Sequence, residues 1–221
     1  LAIMDGTYIT NMRTGANAAY NAINFSKSNP QTLAVYGLGL TARAFMFFYT
    51  AVYKKPITIK VLRYKNQAEL FVEQFQSNEM LNFQICDNLE DLFHSDIIVS
   101  CVSFARKELC DLSVYPNGCT IVPVHTSGFQ NCDLAFDKVV VDDIEHVKGY
   151  RYFNEFQEKM IRITDVANNR SVGRENDEQR IVIYDGGIAV HDLYFAMKVL
   201  EKIGDDCIQM PMSYPVERFW I

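Results

Sequence analysis

The sequence predicts an α/β fold built on a doubly wound parallel sheet, and three observations carry that expectation. Apolar runs of strand length, such as Ile97-Ile98-Val99, are continuous and β-branched, as strands buried on both faces must be. From Thr32 to Asp142 such runs alternate with segments of helical periodicity. The first run, Thr32-Leu33-Ala34-Val35-Tyr36, leads directly into Gly37-Leu38-Gly39-Leu40-Thr41-Ala42, which reads as strand, glycine turn and helix start.

Leu1 to Met4 is strand-like, and Asp5-Gly6 is a strong turn signal. Thr10 or Asn11 can cap a helix over about Met12–Ser26, whose Ala16, Ala18, Ala19 and Ala22, with Ile23, form a small-residue face suited to close packing. Pro30 ends the connection. Strands are expected at Thr32–Tyr36, Ile57–Leu62, Asp96–Val102, Thr120–Val124 and Lys138–Asp142, and helices near Leu40–Val52, Gln67–Phe75 and Leu89–Phe93. After Asp143 the alternation weakens. A strand Ile181–Tyr184, the pair Gly186-Gly187 and a helix from about Val190 to Ile203 then close the pattern. This tail is expected to fold back on the segment before Thr32 as a second layer made from both chain ends. The chain opens inside a strand-like segment, and a half-strand would leave backbone groups unpaired. An N-terminal portion is therefore expected to be absent from it.

With 221 residues, 49% hydrophobic and 22% charged, the composition is that of a soluble globular protein of one domain or one and a half. A net charge of −6 gives no electrostatic support for a nucleic-acid or acidic-membrane partner. No apolar run reaches the roughly 18 residues of a membrane span, and the first residues show no signal-peptide pattern. The six cysteines contain no CxxC pair and read as reduced core thiols of a cytoplasmic protein. No His/Cys/Asp spacing suggests a metal site.

The chemistry is concentrated at the glycine turn. Gly37 allows the tight turn, Gly39 lets the backbone approach a pyrophosphate, and the small Ala42 lets the helix pack on the strand. The helix N-terminus then offers free N–H groups and partial positive charge to phosphates. At the end of the second strand such folds usually place an acid on the adenosine ribose. Here the segment is Val61-Leu62-Arg63-Tyr64-Lys65. An Arg and a Lys suit a 2′-phosphate and favour NADP over NAD; alternatively both side chains are solvated and the ribose is held otherwise. His125 follows a sheet strand at its carboxyl end, where open α/β folds bind ligands, and imidazole suits proton transfer. The bland reading is a structural histidine. His94 and His146 read as surface residues, and Asp192, preceded by His191, as a helix-start acid.

Several segments in order resemble the ornithine cyclodeaminase/mu-crystallin family. They are Ile9-Thr10-Asn11-Met12-Arg13-Thr14-Gly15-Ala16, the turn Gly37–Ala42 with Thr41 where the family usually has Gln, Gly173-Arg174, and Ile183-Tyr184-Asp185-Gly186-Gly187-Ile188-Ala189-Val190-His191-Asp192. The resemblance implies a Rossmann domain over residues 29–173, with residues 1–28 and 174–221 as the remnant of an α+β dimerisation and substrate domain, in a homodimer. It implies that Arg13 contacts both substrate carboxylate and cofactor, and that Thr14 approaches the phosphates. Leu40 and Thr41 would offer backbone N–H groups to the pyrophosphate. Val102 and Ser103 would lie on the nicotinamide-ribose side, and Asp185 and Gly186 would close over cofactor and substrate. The family's catalytic aspartate falls, by count, on Ser127, which cannot act as an aspartate-like base at neutral pH.

The expectation is an oxidoreductase using NADP or NAD on an amino acid or its imine, with dehydrogenation or imine reduction favoured over cyclodeamination. His125, or a water held by Ser127, would handle the proton. The alternatives are a non-catalytic nucleotide- or small-ligand-binding member of the family, or an inactive truncated form.

Overall fold

A computed structural model describes residues 2–105, 107–124 and 128–208. Its first helix, α1 (Gly6–Asn24), starts earlier than the sequence predicts. Asp5 is its N-cap, accepting from the Thr7 N–H at 2.9 Å. Asp-Gly is thus a helix start here rather than a turn, Thr10 and Asn11 lie inside the helix, and Ala2–Met4 form no strand.

The chain continues through β1 (Thr32–Tyr36), α2 (Leu40–Val52), β2 (Ile57–Leu62), α3 (Gln67–Phe75), β3 (Leu81–Cys86), α4 (Leu89–Phe93), β4 (Ile97–Ser100) and β5 (Thr120–Pro123). There follow α5 (Cys132–Ala135), β6 (Lys138–Val141), α6 (Ile144–Val147), α7 (Phe153–Phe156), β7 (Met160–Arg162), α8 (Ile163–Ala167), β8 (Ile181–Tyr184) and α9 (Ala189–Ile203). All eight strands form one sheet in the order β3-β2-β1-β4-β5-β8-β6-β7, and each neighbouring pair is parallel. The order reverses between β1 and β4, which is the switch point where doubly wound sheets bind their ligands.

Alternate residues of each strand feed two cores. Leu33 and Val35 pack with Phe45, Met46 and Phe71 beneath α1, α2 and α3, while Ala34 faces Phe93, Phe129 and Phe136 on the other side. Both cores are rich in buried aromatic side chains, so the sheet is covered on both faces as its β-branched runs require.

Two strands are invisible to the sequence reading. β3 alternates apolar and polar residues because its position at the sheet edge leaves one face partly open, and β7 has three residues. β8, grouped by sequence with the chain end, inserts between β5 and β6. Helix α1 lies against α2, and Gly15 permits a close approach: a Cβ there would fall 2.5 Å from the Phe45 backbone nitrogen. Ala18, Ala19 and Ala22 are buried in the core beneath α1. The small-residue face is therefore used within the chain and is not free for a partner.

Candidate functional site

The glycine turn has the shape of a phosphate cradle. Gly37 adopts φ +84°, and a Cβ there would meet Val102 Cγ1 and the Val102 nitrogen at 2.8 Å, so no side chain fits between β1 and the end of β4. Gly39 is the opposite case. It caps α2 with no side-chain hydrogen bond to the helix, and a Cβ there would meet nothing within 4 Å. Its first turn carries no acid. The open approach, the uncapped N–H groups and the helix dipole together suit a dinucleotide pyrophosphate, so the residues present fit the cofactor.

Helix α1 links this turn to a second group of side chains. The Thr41 hydroxyl donates to Asn11 Oδ1 at 2.7 Å, so it holds α1 and leaves the backbone N–H to face a ligand. Two residues further along α1, the Arg13 Nε donates to Asp192 Oδ1 at 3.1 Å, and only 13% of the Arg13 side chain is exposed. Its Nη1 and Nη2 lie over Gly187, which has φ +80°; a Cβ there would overlap Nη1. Asp192 fixes one edge of the guanidinium and Gly187 makes room for it, leaving a fork of donors of the kind that binds carboxylates bidentately.

Beyond Arg13, the carboxyl ends of β6 and β8 bring together two buried carboxylates, Asp142 and Asp185. The Asn21 amide donates to Asp185 Oδ2 at 2.7 Å, and the Gly187 N–H donates to Asp142 Oδ2 at 2.7 Å. His146 Nδ1 lies 3.3 Å from Asp142 Oδ1, so this half-exposed histidine is part of the group rather than a plain surface residue. Burial, reinforced by the charge of Asp142, pushes the Asp185 carboxyl up to about 7, against the opposing pull of Arg13. A cavity of about 340 Å³ opens beside the pair and is lined by Asn17, Tyr20, Asn21, Ile163 and His191 among others. Asn17 Nδ2 and His191 Nδ1 meet at 2.8 Å on its wall.

The remaining predicted positions fall as follows. Thr14 is half-buried on α1 next to Arg13, and Leu40 is exposed at the start of α2. Val102 touches the Gly37 turn, and Ser103 is exposed beyond it. Gly186 is exposed, with a Cβ position 3.5 Å from His146 Nδ1. Arg63 is half-exposed and already bound, its Nε donating to Asp87 Oδ1 at 2.7 Å and its Nη1 to Glu69 Oε1 at 2.8 Å. His125 and Ser127 lie outside the described residues. Among the described residues no group of three His, Cys, Asp or Glu side chains is placed to hold a metal ion.

Asn17, Asn21 and Asp142 were not singled out by sequence reasoning. Asp142 was within reach of it, because it ends an expected strand at the carboxyl edge, close to the rule that picks out His125. The two asparagines gave no signal, since their role depends on which face of α1 meets β8.

Comparison with known proteins agrees with this architecture. The profile of the Ornithine cyclodeaminase/mu-crystallin family matches residues 1–206. A curated relative, Nodulation efficiency protein NfeD of Rhizobium meliloti, is 21% identical over 207 residues. The match covers 91% of this chain but 64% of the relative, so the chain spans less than two thirds of that protein's length. Among solved structures, an archaeal alanine dehydrogenase dimer with bound NAD superposes with a TM-score of 0.82 at 23% identity, covering 97% of this chain and 70% of its own. The Thermococcus litoralis Delta(1)-pyrroline-2-carboxylate reductase, in complex with NADH and L-proline, gives 0.77 at 21%, covering 92% and 67%. With the profile matched across the glycine turn, the Arg13 segment and the Asp185–Asp192 segment alike, the chain belongs to the ornithine cyclodeaminase/mu-crystallin family.

Proposed function

We propose that the protein is an NAD(P)-dependent oxidoreductase acting on an amino acid or its imine, as a dehydrogenase or imine reductase rather than a cyclodeaminase. One observation carries the reading: the same helix, α1, supports the open α2 N-terminus through Asn11 and presents the Arg13 fork two residues later. A cradle for phosphates and a clamp for a carboxylate are thus built into one rigid unit at the sheet's switch point. The names of the solved relatives, an alanine dehydrogenase and a pyrroline-2-carboxylate reductase, favour the same class.

When bound, the nicotinamide cofactor supplies or accepts the hydride. The chain's own residues position the substrate and manage one proton. Arg13, steadied by Asp192, holds the carboxylate. Thr14 and the backbone N–H groups of Leu40 and Thr41 would hold the phosphates of the cofactor, and Val102 and Ser103 would serve its nicotinamide side. Asp185 and Gly186 border the substrate. His125, next after Val124, whose N–H bonds Ser100 O at 2.9 Å, takes or gives the proton at the substrate nitrogen, or a water on Ser127 does so. Ornithine-type cyclodeamination is disfavoured because serine stands where the family's aspartate is expected.

Self-association is part of the proposal. Helix α9 has no buried residue, and Leu193, Met197 and Leu200 line an apolar cleft of about 690 Å³ with Met4 and Ile9. An exposed apolar helix face of this kind marks an interaction surface, and a second copy of the chain is its proposed occupant. Nothing in the charge or composition favours a nucleic acid, and no described helix is long and apolar enough to cross a membrane.

Titration of NADH and NADPH, followed by nicotinamide fluorescence, tests the binding. A screen of amino acids and cyclic imines for a change in nicotinamide absorbance tests the reaction. Tight binding with no turnover would select the non-catalytic ligand-binding reading, and no binding of either dinucleotide would overturn the proposal.

A further inference from the structure

The ends of β2 and β3 carry an ion triad that the sheet itself does not need. Leu62 and Cys86 are register partners, and the Arg63 N–H donates to Cys86 O at 2.8 Å, so Arg63 and Asp87 leave the sheet side by side. Asp87 then takes the Arg63 Nε, and Glu69, from the first turn of α3, takes Nη1. Both partners raise the affinity of the guanidinium for its proton, Asp87 most strongly. The triad alone, one cation bracketed by two carboxylates, carries one surplus negative charge, which Lys65 beside it balances. The neighbouring Lys65 sits in a left-handed turn at φ +52°, with its ammonium 5.3 Å from the centre of the Tyr64 ring.

This corner adjoins the glycine turn, because β2 pairs directly with β1 through Val35 and Val61. The end of the second strand is where a doubly wound sheet reads the adenosine ribose. Read alone, Arg63 points to a 2′-phosphate. Bracketed, it does not, since a phosphate would have to pull the fork away from Asp87 and Glu69 and leave both carboxylates facing it.

Resting on the proposed function, we infer that Asp87 is the cofactor-specificity residue: reaching across from β3, it holds Arg63 and presents a carboxylate to the ribose diol, so that the protein takes NAD(H) and rejects NADP(H). The acid absent from the end of β2 is thereby supplied by the next strand. Glu69 keeps Arg63 from swinging towards a phosphate.

The test is a titration of NADH and NADPH into the wild type, Asp87→Asn, Glu69→Gln and the double variant. All three residues are solvent-exposed, so folding is not at risk. The wild type is expected to bind NADH at least about tenfold more tightly than NADPH. In the double variant NADPH binding should strengthen about tenfold and NADH binding weaken a few-fold, and Arg63→Ala in that background should remove the gain. A wild type that prefers NADPH, or a double variant that binds NADH with an unchanged preference, overturns this inference and leaves the proposed function standing. A wild type that binds neither dinucleotide overturns both.

Discussion

The Asn21 amide donates to Asp185 Oδ2 at 2.7 Å, joining residues 164 apart in sequence and locking the C-terminal half of α1 to the end of β8. This bond fixes the carboxylate pair, and through α1 it also sets where Arg13 stands. Because Asp185 is held up to about 7 by burial and by Asp142, its protonated form is the one the fold prefers.

A pH dependence of stability follows. In the unfolded chain Asp185 titrates near 3.9, well below its folded value, so its contribution is fully present below about pH 4 and is lost as pH rises through about 7. Asp133, also raised to about 7 by burial, adds a loss of the same sign. Denaturant unfolding between pH 4 and 8 should show stability falling by a few kcal/mol attributable to each group. Asp185→Asn should flatten that slope by about half; an unchanged slope would show that Asp185 titrates normally.

The two turn glycines separate architecture from binding. Gly37→Ala puts a Cβ against Val102 and the Cys101 carbonyl carbon at a φ of +84°, and should cost about 3 kcal/mol or more. Gly39→Ala meets nothing within 4 Å and should cost about 1 kcal/mol or less, while weakening dinucleotide binding about tenfold by obstructing the phosphate approach. Thermal unfolding and NADH titration of the two variants check both halves. Equal losses of stability would contradict the contrast.

Arg13→Lys keeps a charge but loses the fork. With whichever amino acid or imine the wild type turns over, kcat/KM should drop about 100-fold, mostly through KM. Gly187→Ala, which forces the guanidinium aside, should produce the same phenotype with Arg13 intact. A fall confined to kcat in Arg13→Lys would assign the residue to the chemical step instead.

Arg174 is predicted to matter for stability alone. Its Nε donates to Phe25 O at 2.8 Å, while Nη1 and Nη2 reach the carbonyls of Asn176, Gln179 and Gly118 and the Thr120 hydroxyl. These bonds staple the segment before β8 to the end of α1. Lysine cannot span them, so Arg174→Lys should cost about 3 kcal/mol in chemical denaturation with cofactor affinity unchanged.

Much of this was legible in the sequence, for reasons of geometry. Continuous β-branched runs mark β4, β5, β6 and β8, and an apolar run marks β1, because both their faces are covered, and the Gly37–Ala42 pattern is read from six consecutive residues. The edge strand β3 and the three-residue β7 escape, because neither has the buried run that the pattern needs. Local sequence cannot report that Asp87 comes to Arg63 from a neighbouring strand, or that Asn21 faces Asp185. Both depend on strand order and on how α1 packs against the sheet.

Every proposed role in the site depends on the Gly37–Ala42 turn holding a dinucleotide. The most direct measurement is a fluorescence titration of NADH into the wild type and Gly39→Ala side by side. Micromolar binding by the wild type, weakened about tenfold in a variant that unfolds at nearly the same temperature, is the predicted result. Absence of NADH and NADPH binding, or equal affinity in the two proteins, would contradict it.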